Sequence, residues 1–306
     1  MSSTKERVFV TAASGNIGTG VVRSLVKQGI DTTAYVRDEQ KAKDLFKEEL
    51  TTGHLTLVIG SYSATDVFTK AIQGHTRLFL LVVAHGLKPW SMSQIKEAFG
   101  RIAFEQGVRQ IVDLSSAFVS SYGKKGIIGY VHTAAEEKLW ALADEKPEQR
   151  SLVVLRPGAF MTNHFRADVH TIKHQNKIVS FALPSSKITW IDTKDIADCA
   201  AVVLSESVEK HDRNVYDLGG ETLTEEQRAA VFSKVLGKSI TYEKQSMEDF
   251  YKASISHGMP HSFVYNFALM ASKDICDNAT PEIALIIGRP LRTLEDWLNE
   301  NGKAFQ

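Results

Sequence analysis

The chain has 306 residues, 43% hydrophobic and 24% charged, with 36 basic and 36 acidic side chains in balance. This is a globular mix, long enough for one large domain or two small ones. A neutral chain offers no broad positive field to a phosphate backbone, which argues against nucleic acid as a partner.

Two cysteines, Cys199 and Cys276, make no disulfide framework. Cys199, in the apolar run "IADCAAVVL", reads as a small buried hydrophobe. The start "MSSTKER" has no apolar signal core and no later run approaches a membrane span. The expectation is a cytoplasmic protein with no membrane partner.

In chain order, "RVFVTAA" is a short β-rich run. Gly20 to Gly29 follows with Val21, Val22, Leu25 and Val26 at helical spacing, and Gly29 as the stop. "DTTAYVR" is a second strand and "EQKAKDLFKEEL" a helix. "LTLVIGS" and "ATDVFTKAIQG" repeat the alternation. "RLFLLVV" is apolar nearly throughout, as a strand covered on both faces should be. "SQIKEAFGRIAFEQG", "QIVDLSS", "TAAEEKLWALADE" and "SLVVLRPG" continue it. Six strands separated by helices predict an α/β fold, a Rossmann-type doubly wound parallel sheet over residues 1–158.

Past Gly158 the alternation loosens. "KITWIDTKDIADCAAVVLSE" reads as a strand, an aspartate-capped turn and a helix, and "NVYDLGG" as a strand. Thr224 opens "TEEQRAAVFSKVLG" with Gln227 at capping-box spacing. "SITYEKQS" is a further strand, and the tail from Met247 is helical with aromatics. Residues 159–306 are expected to form a smaller C-terminal α+β substrate lobe over the cleft, with some strands joining the main sheet.

Ligands of such sheets lie at the carboxyl ends of the strands. After the first strand, "VFVTAASGNIGTG" places Gly15 and Gly18 where a backbone must approach a pyrophosphate, with a helix N-terminus behind them. Thr11, Ala13, Gly15, Asn16, Ile17 and Gly18 are the candidate contacts. The first glycine of the pattern is an alanine, Ala12 or Ala13 depending on the spacing. An alanine suits that turn only at negative φ. Arg37 ends the second strand, where a guanidinium matches a 2′-phosphate, although Asp38 follows it. The preferred cofactor is NADP(H), with NAD(H) as the alternative. Ser61, Val82, Ser115 and Pro157, at later strand ends, complete the candidate cofactor residues.

These segments resemble the NmrA-like branch of the atypical short-chain dehydrogenases/reductases, a group similar to isoflavone reductases, triphenylmethane reductases and one class of NADPH-dependent quinone reductases. "VTAASGNIG" resembles the family's glycine loop and "AYVRD" its NADP-selecting strand end. "QIVDLSSAF", "HTAAEEKLW", "VVLRPGAFMTN", "WIDTKDIADCAAVVL" and "RPLRTLEDWLNEN" carry the likeness along nearly the whole chain. Many relatives have an aspartate after the third strand, near the adenine; this chain has Gly60 and Ser61 there.

The Tyr-x-x-x-Lys acid–base pair of the main short-chain type is absent: Tyr130 is followed four residues on by Ala134. The resemblance places His132 where relatives have a lysine or histidine facing the nicotinamide. A histidine near pKa 6.5 could protonate a reduced substrate or orient the nicotinamide ribose. Glu136 stands one turn away, close enough for a local ion pair. His132 and Tyr130 are thus the candidate catalytic residues. Phe118, Tyr130, Phe160 and Trp190, with Asn163 as a polar contact, are the candidate substrate pocket, closed by Met259, Pro260 and Phe263.

No metal is expected. His164, His170 and His174 read as a helix face, and Asp192 and Asp195 as turn and cap residues. The expected activity is NADPH-dependent hydride transfer to a small flat electrophile of quinone, imine/iminium or enone type, by a monomer or homodimer. The alternative is a non-catalytic NADP(H)-binding redox sensor acting through a protein partner.

Overall fold

The computed structural model describes residues 6–83, 88, 91–122, 124, 126–270 and 282–306; Cys276 and part of the tail lie outside them. The first half runs β1 (Arg7–Val10), α1 (Asn16–Lys27), β2 (Asp31–Val36), α2 (Glu39–Leu45), β3 (Leu55–Ile59), α3 (Thr65–Ala71), β4 (Arg77–Leu80), α4 (Ser91–Glu105), β5 (Gln110–Leu114), α5 (Phe118–Tyr122), α6 (Ile127–Asp144) and β6 (Ser151–Pro157). The second half runs β7 (Ala159–Phe160), α7 (His164–Ala167), α8 (Val169–Gln175), β8 (Lys177–Ser180), β9 (Lys187–Ile191), α9 (Thr193–Ser205), α10 (Val208–His211), β10 (Val215–Leu218), β11 (Glu221–Thr224), α11 (Glu225–Leu236), β12 (Thr241–Lys244), α12 (Met247–Ser256), α13 (His261–Met270), α14 (Glu282–Ile287) and α15 (Leu294–Asn301).

Seven parallel strands form the main sheet in the order β10-β6-β5-β4-β1-β2-β3. The strand order reverses between β1 and β4, the crevice where doubly wound sheets take their ligands. β4 is buried at every residue, which matches its nearly apolar run, and β5 is buried throughout although it carries Gln110 and Asp113. Period-two alternation sends Val8, Val10 and Val112 to the face covered by α1 and α9, and Phe9 and Ile111 to the face covered by α3, α4 and α6. A Cβ on Gly20 would lie 2.6 Å from Ala197 Cβ, so α1 and α9 pack at small residues.

The second half holds a core of its own around Met161, Trp190, Phe232 and Trp297. It rests on the three-stranded sheet β11-β9-β7 and the parallel pair β12-β8. It also lends β10 and α9 to the main sheet. Asp192 caps α9, accepting from Lys194 N at 2.9 Å, and receives Arg292 Nε at 2.6 Å. Asp195 accepts from Arg292 N. Both aspartates therefore cap and tether, as their places in the sequence suggested. The Thr224–Gln227 capping box is formed. Cys199 is buried, and burial raises its thiol to about 12.

Candidate functional site

The β1–α1 turn builds the first part of the site. Gly15 N donates to Ala12 O at 2.9 Å, and Gly15 then caps α1 without a side chain. No acidic residue stands in the first turn of α1, whose leading amides lack partners inside the helix. A Cβ on Gly18 would lie 2.4 Å from Ala12 O and 2.9 Å from Ala13 Cα. The helix start is thus pressed onto the turn, leaving its dipole end open to an anion.

The alanine behaves otherwise than expected. Ala12 has φ +49°, the left-handed region, whereas Ala13 is not among the residues of positive φ. Packing against Gly18 forces the reversal at once, and a residue with a Cβ bears the strain. Thr11 is fully buried, and its hydroxyl donates to Leu81 O at 2.9 Å and accepts from Leu81 N at 2.8 Å. That hydroxyl stitches β1 to the end of β4. Ala13 and Ile17 are buried in the core beneath the turn.

At the end of β2, Arg37 is exposed and makes no ion pair among the described residues. Asp38 is the N-cap of α2, its Oδ1 accepting from Lys41 N at 2.9 Å. Beyond β3, Gly60 lies against Tyr35: a Cβ there would meet the phenol at 2.2 Å. The aspartate of many relatives has no room at Gly60 while Tyr35 stays. Tyr35 donates to Ser61 O, and Ser61 Oγ lies 3.0 Å from Ser63 Oγ. Tyr62, which the sequence reading passed over, accepts from Val83 N at 3.0 Å and so borders the end of β4 beside buried Val82.

The ends of β5 and β6 carry the second part. Ser115 donates to Glu136, which also accepts Arg156 Nε at 3.1 Å. Arg156 continues to Ser120 at 3.1 Å, and Ser120 to Asp217 at 2.7 Å. Glu136 is therefore committed to Ser115 and Arg156, and the expected His132–Glu136 pair gives way to it. His132 is half-buried with Nδ1 sealed and without a partner among the described residues. Burial, and then the charge of Lys96, lower its pKa from 6.5 to about 3. The imidazole is thus neutral near pH 7, rather than a group poised at 6.5.

Tyr130, on the same helix, is 50% exposed. Gly126 offers α6 no side-chain cap, and Asn266 of α13 supplies one, accepting from Ile127 N at 3.0 Å. This bond ties α13 to the start of α6.

The other pocket candidates separate. Phe118 follows β5, and Phe160 leans on the main core. Asn163 is exposed after β7. Trp190, expected on the pocket wall, is buried in the lobe core with its ring 4.2 Å from His164 and under Arg228. Alternation along β9 turns it inward. His164 faces Asp168 at 2.7 Å, away from a solvated surface, while His170 and His174 pair on α8 with rings 4.8 Å apart.

A profile of the NmrA-like family matches residues 4–295. The chain is 28% identical over 305 residues to quinone oxidoreductase 2 of Escherichia coli, covering 94% of this chain and 96% of that one. It is 25% identical over 305 residues to an NAD(P)H azoreductase of Xenophilus azovorans, covering 97% and 99%. The structure of the NADPH-dependent quinone oxidoreductase 2 from E. coli complexed with NADPH superposes with a TM-score of 0.79 at 25% identity, over 96% of this chain and 99% of that one.

Proposed function

The chain belongs to the NmrA-like family, and on that premise we propose that it reduces a small, flat electrophile of the quinone, imine/iminium or enone class. It is an NAD(P)H-dependent oxidoreductase, with NADP(H) preferred and NAD(H) as the second choice; the quinone oxidoreductase and azoreductase relatives support that class. The observation that carries the cofactor preference is the contrast between Arg37 and Asp38. The guanidinium stands exposed at the β2 end, while the neighbouring Asp38 turns Oδ1 to Lys41 N as the cap of α2.

The tight Gly15–Gly18 turn and the open N-terminus of α1 fit a pyrophosphate. Arg37 would hold the 2′-phosphate, Ser61 and Val82 would border the adenosine, and Ser115, Pro157 and His132 would border the nicotinamide end. When bound, the cofactor supplies the hydride. His132, neutral at pH 7, offers a hydrogen bond rather than a proton. The site therefore suits acceptors whose reduction needs no strong acid from the protein. Phe118, Phe160 and Tyr130 would wall a flat ligand and, with α13, exclude water.

The test is NADPH oxidation against a panel of quinones, iminium dyes, azo dyes and enones. Turnover of at least one class supports the reading. No turnover by protein that binds NADPH would refute it. The absent Tyr-x-x-x-Lys pair favours the second reading, a redox sensor. That reading requires unequal affinity for NADPH and NADP⁺ and a protein partner that responds to the difference.

A further inference from the structure

Tyr62 joins two sides of the crevice that the glycine turn and Arg37 leave apart. In the main sheet β3 is separated from β4 by β2 and β1, three strand spacings or about 14 Å. The chain leaving β3 bridges that gap at the carboxyl ends of the strands. Gly60 N donates to Val36 O at 2.9 Å, next to Arg37 at the end of β2. Two residues on, the Tyr62 hydroxyl reaches the end of β4. It accepts from Val83 N at 3.0 Å and donates to Leu81 O at 3.3 Å.

The β4 end is held from β1 as well. The Thr11 hydroxyl donates to the same Leu81 O at 2.9 Å and accepts from Leu81 N at 2.8 Å. Leu81 O thus takes two hydroxyl donors, and the amides of Leu81 and Val83 each donate to a side chain. The register of β4 with its neighbours ends at Leu80, so beyond that residue the two hydroxyls set the path of the backbone. Residues 81–83 stand beside the reversal of strand order, where a dinucleotide has to pass. The Tyr62 ring packs edge-on against Phe99 of α4, centroids 6.1 Å apart. A phenylalanine would fill that space equally well; what the hydroxyl adds is the bridge.

We propose that Tyr62 is a positioning residue for the dinucleotide: its hydroxyl fixes the spacing between Arg37 and the backbone of residues 81–83, the two sides between which the adenosine half is held. This rests on the NADP(H) reading above and not on the identity of the acceptor.

The test is calorimetric titration of Tyr62→Phe with NADPH and with 2′,5′-ADP, which carries the adenosine and the 2′-phosphate without the nicotinamide. The variant keeps the ring and should fold. Loss of one neutral hydrogen-bonding group should weaken both ligands by the same factor, about fivefold to tenfold. With an acceptor that the enzyme reduces, KM for NADPH should rise by that factor while kcat stays within about twofold. Tyr242→Phe is the control. Its hydroxyl donates to Ala182 O at 2.6 Å in the lobe, so its loss should shift the urea midpoint comparably and leave both affinities unchanged. If wild type binds both ligands and Tyr62→Phe holds either one within about twofold of it, the positioning role fails and the NADP(H) reading stands. An equal loss of affinity in Tyr242→Phe also overturns the positioning role, because the effect would then be one of general stability. Wild type that binds neither ligand overturns the NADP(H) reading and the proposal with it.

Discussion

Replacing Ala12 by glycine tests the strained turn directly. Ala12 is held at φ +49° while Ala13 is not at positive φ. A left-handed alanine costs about 1–2 kcal/mol, and glycine gives back about 0.4–1 kcal/mol through the greater freedom of its unfolded chain. Ala12→Gly should therefore stabilise the protein by about 0.5–1 kcal/mol. Ala13→Gly loses a fully buried methyl and gains unfolded-state entropy, so it should destabilise by about 1–2 kcal/mol. The assay is urea unfolding of both variants beside wild type, with NADPH affinity as a check that the turn is preserved. Opposite signs at adjacent alanines are the signature. A destabilised Ala12→Gly, or shifts of the same sign in both variants, would refute the assignment of strain to Ala12.

Arg37→Glu should weaken NADPH binding by about tenfold to a hundredfold, the worth of one or two charge-assisted hydrogen bonds, and leave NADH binding nearly unchanged; equal losses by calorimetry would overturn the cofactor preference. The acid limb of stability should carry the signature of His132. Unfolded, it takes a proton near pH 6.5; folded, only near pH 3. The unfolded state thus binds more protons in that window, and stability falls as pH drops through it, by about 2 kcal/mol between pH 7 and 5. His132→Asn should flatten the slope by that amount in urea melts, and an unchanged slope would place the proton elsewhere. Asn266→Ala removes the cap that α13 gives α6 and should cost about 1 kcal/mol, with faster proteolysis within α13; an unaltered cleavage rate would mean that the cap does not hold that helix.

The features legible in advance were those that depend on near neighbours. The nearly unbroken apolar run "RLFLLVV" states its burial on both faces. The Thr224–Gln227 box and the Asp192 cap each close within three residues. Gly15 and Gly18 marked the turn because only glycine permits so close an approach. The site was less legible. The hydroxyl of Thr11 is claimed by Leu81, 70 residues away. The carboxylate of Glu136 on α6 is taken by Ser115 after β5 and by Arg156 of β6. Trp190 looked like a pocket wall until β9 turned it into the lobe core.

By itself, then, the sequence determined the alternating strands and helices, the parallel sheet, the glycine turn and the cationic end of β2, because periodicity, capping and backbone freedom are local properties. Only the tertiary structure decided which polar side chains remain available for chemistry. Hydrogen-bond partners and burial are set by strands and helices distant in the chain. Those partners committed the Thr11 hydroxyl to Leu81 and the Glu136 carboxylate to Ser115 and Arg156, and turned Trp190 into the lobe core.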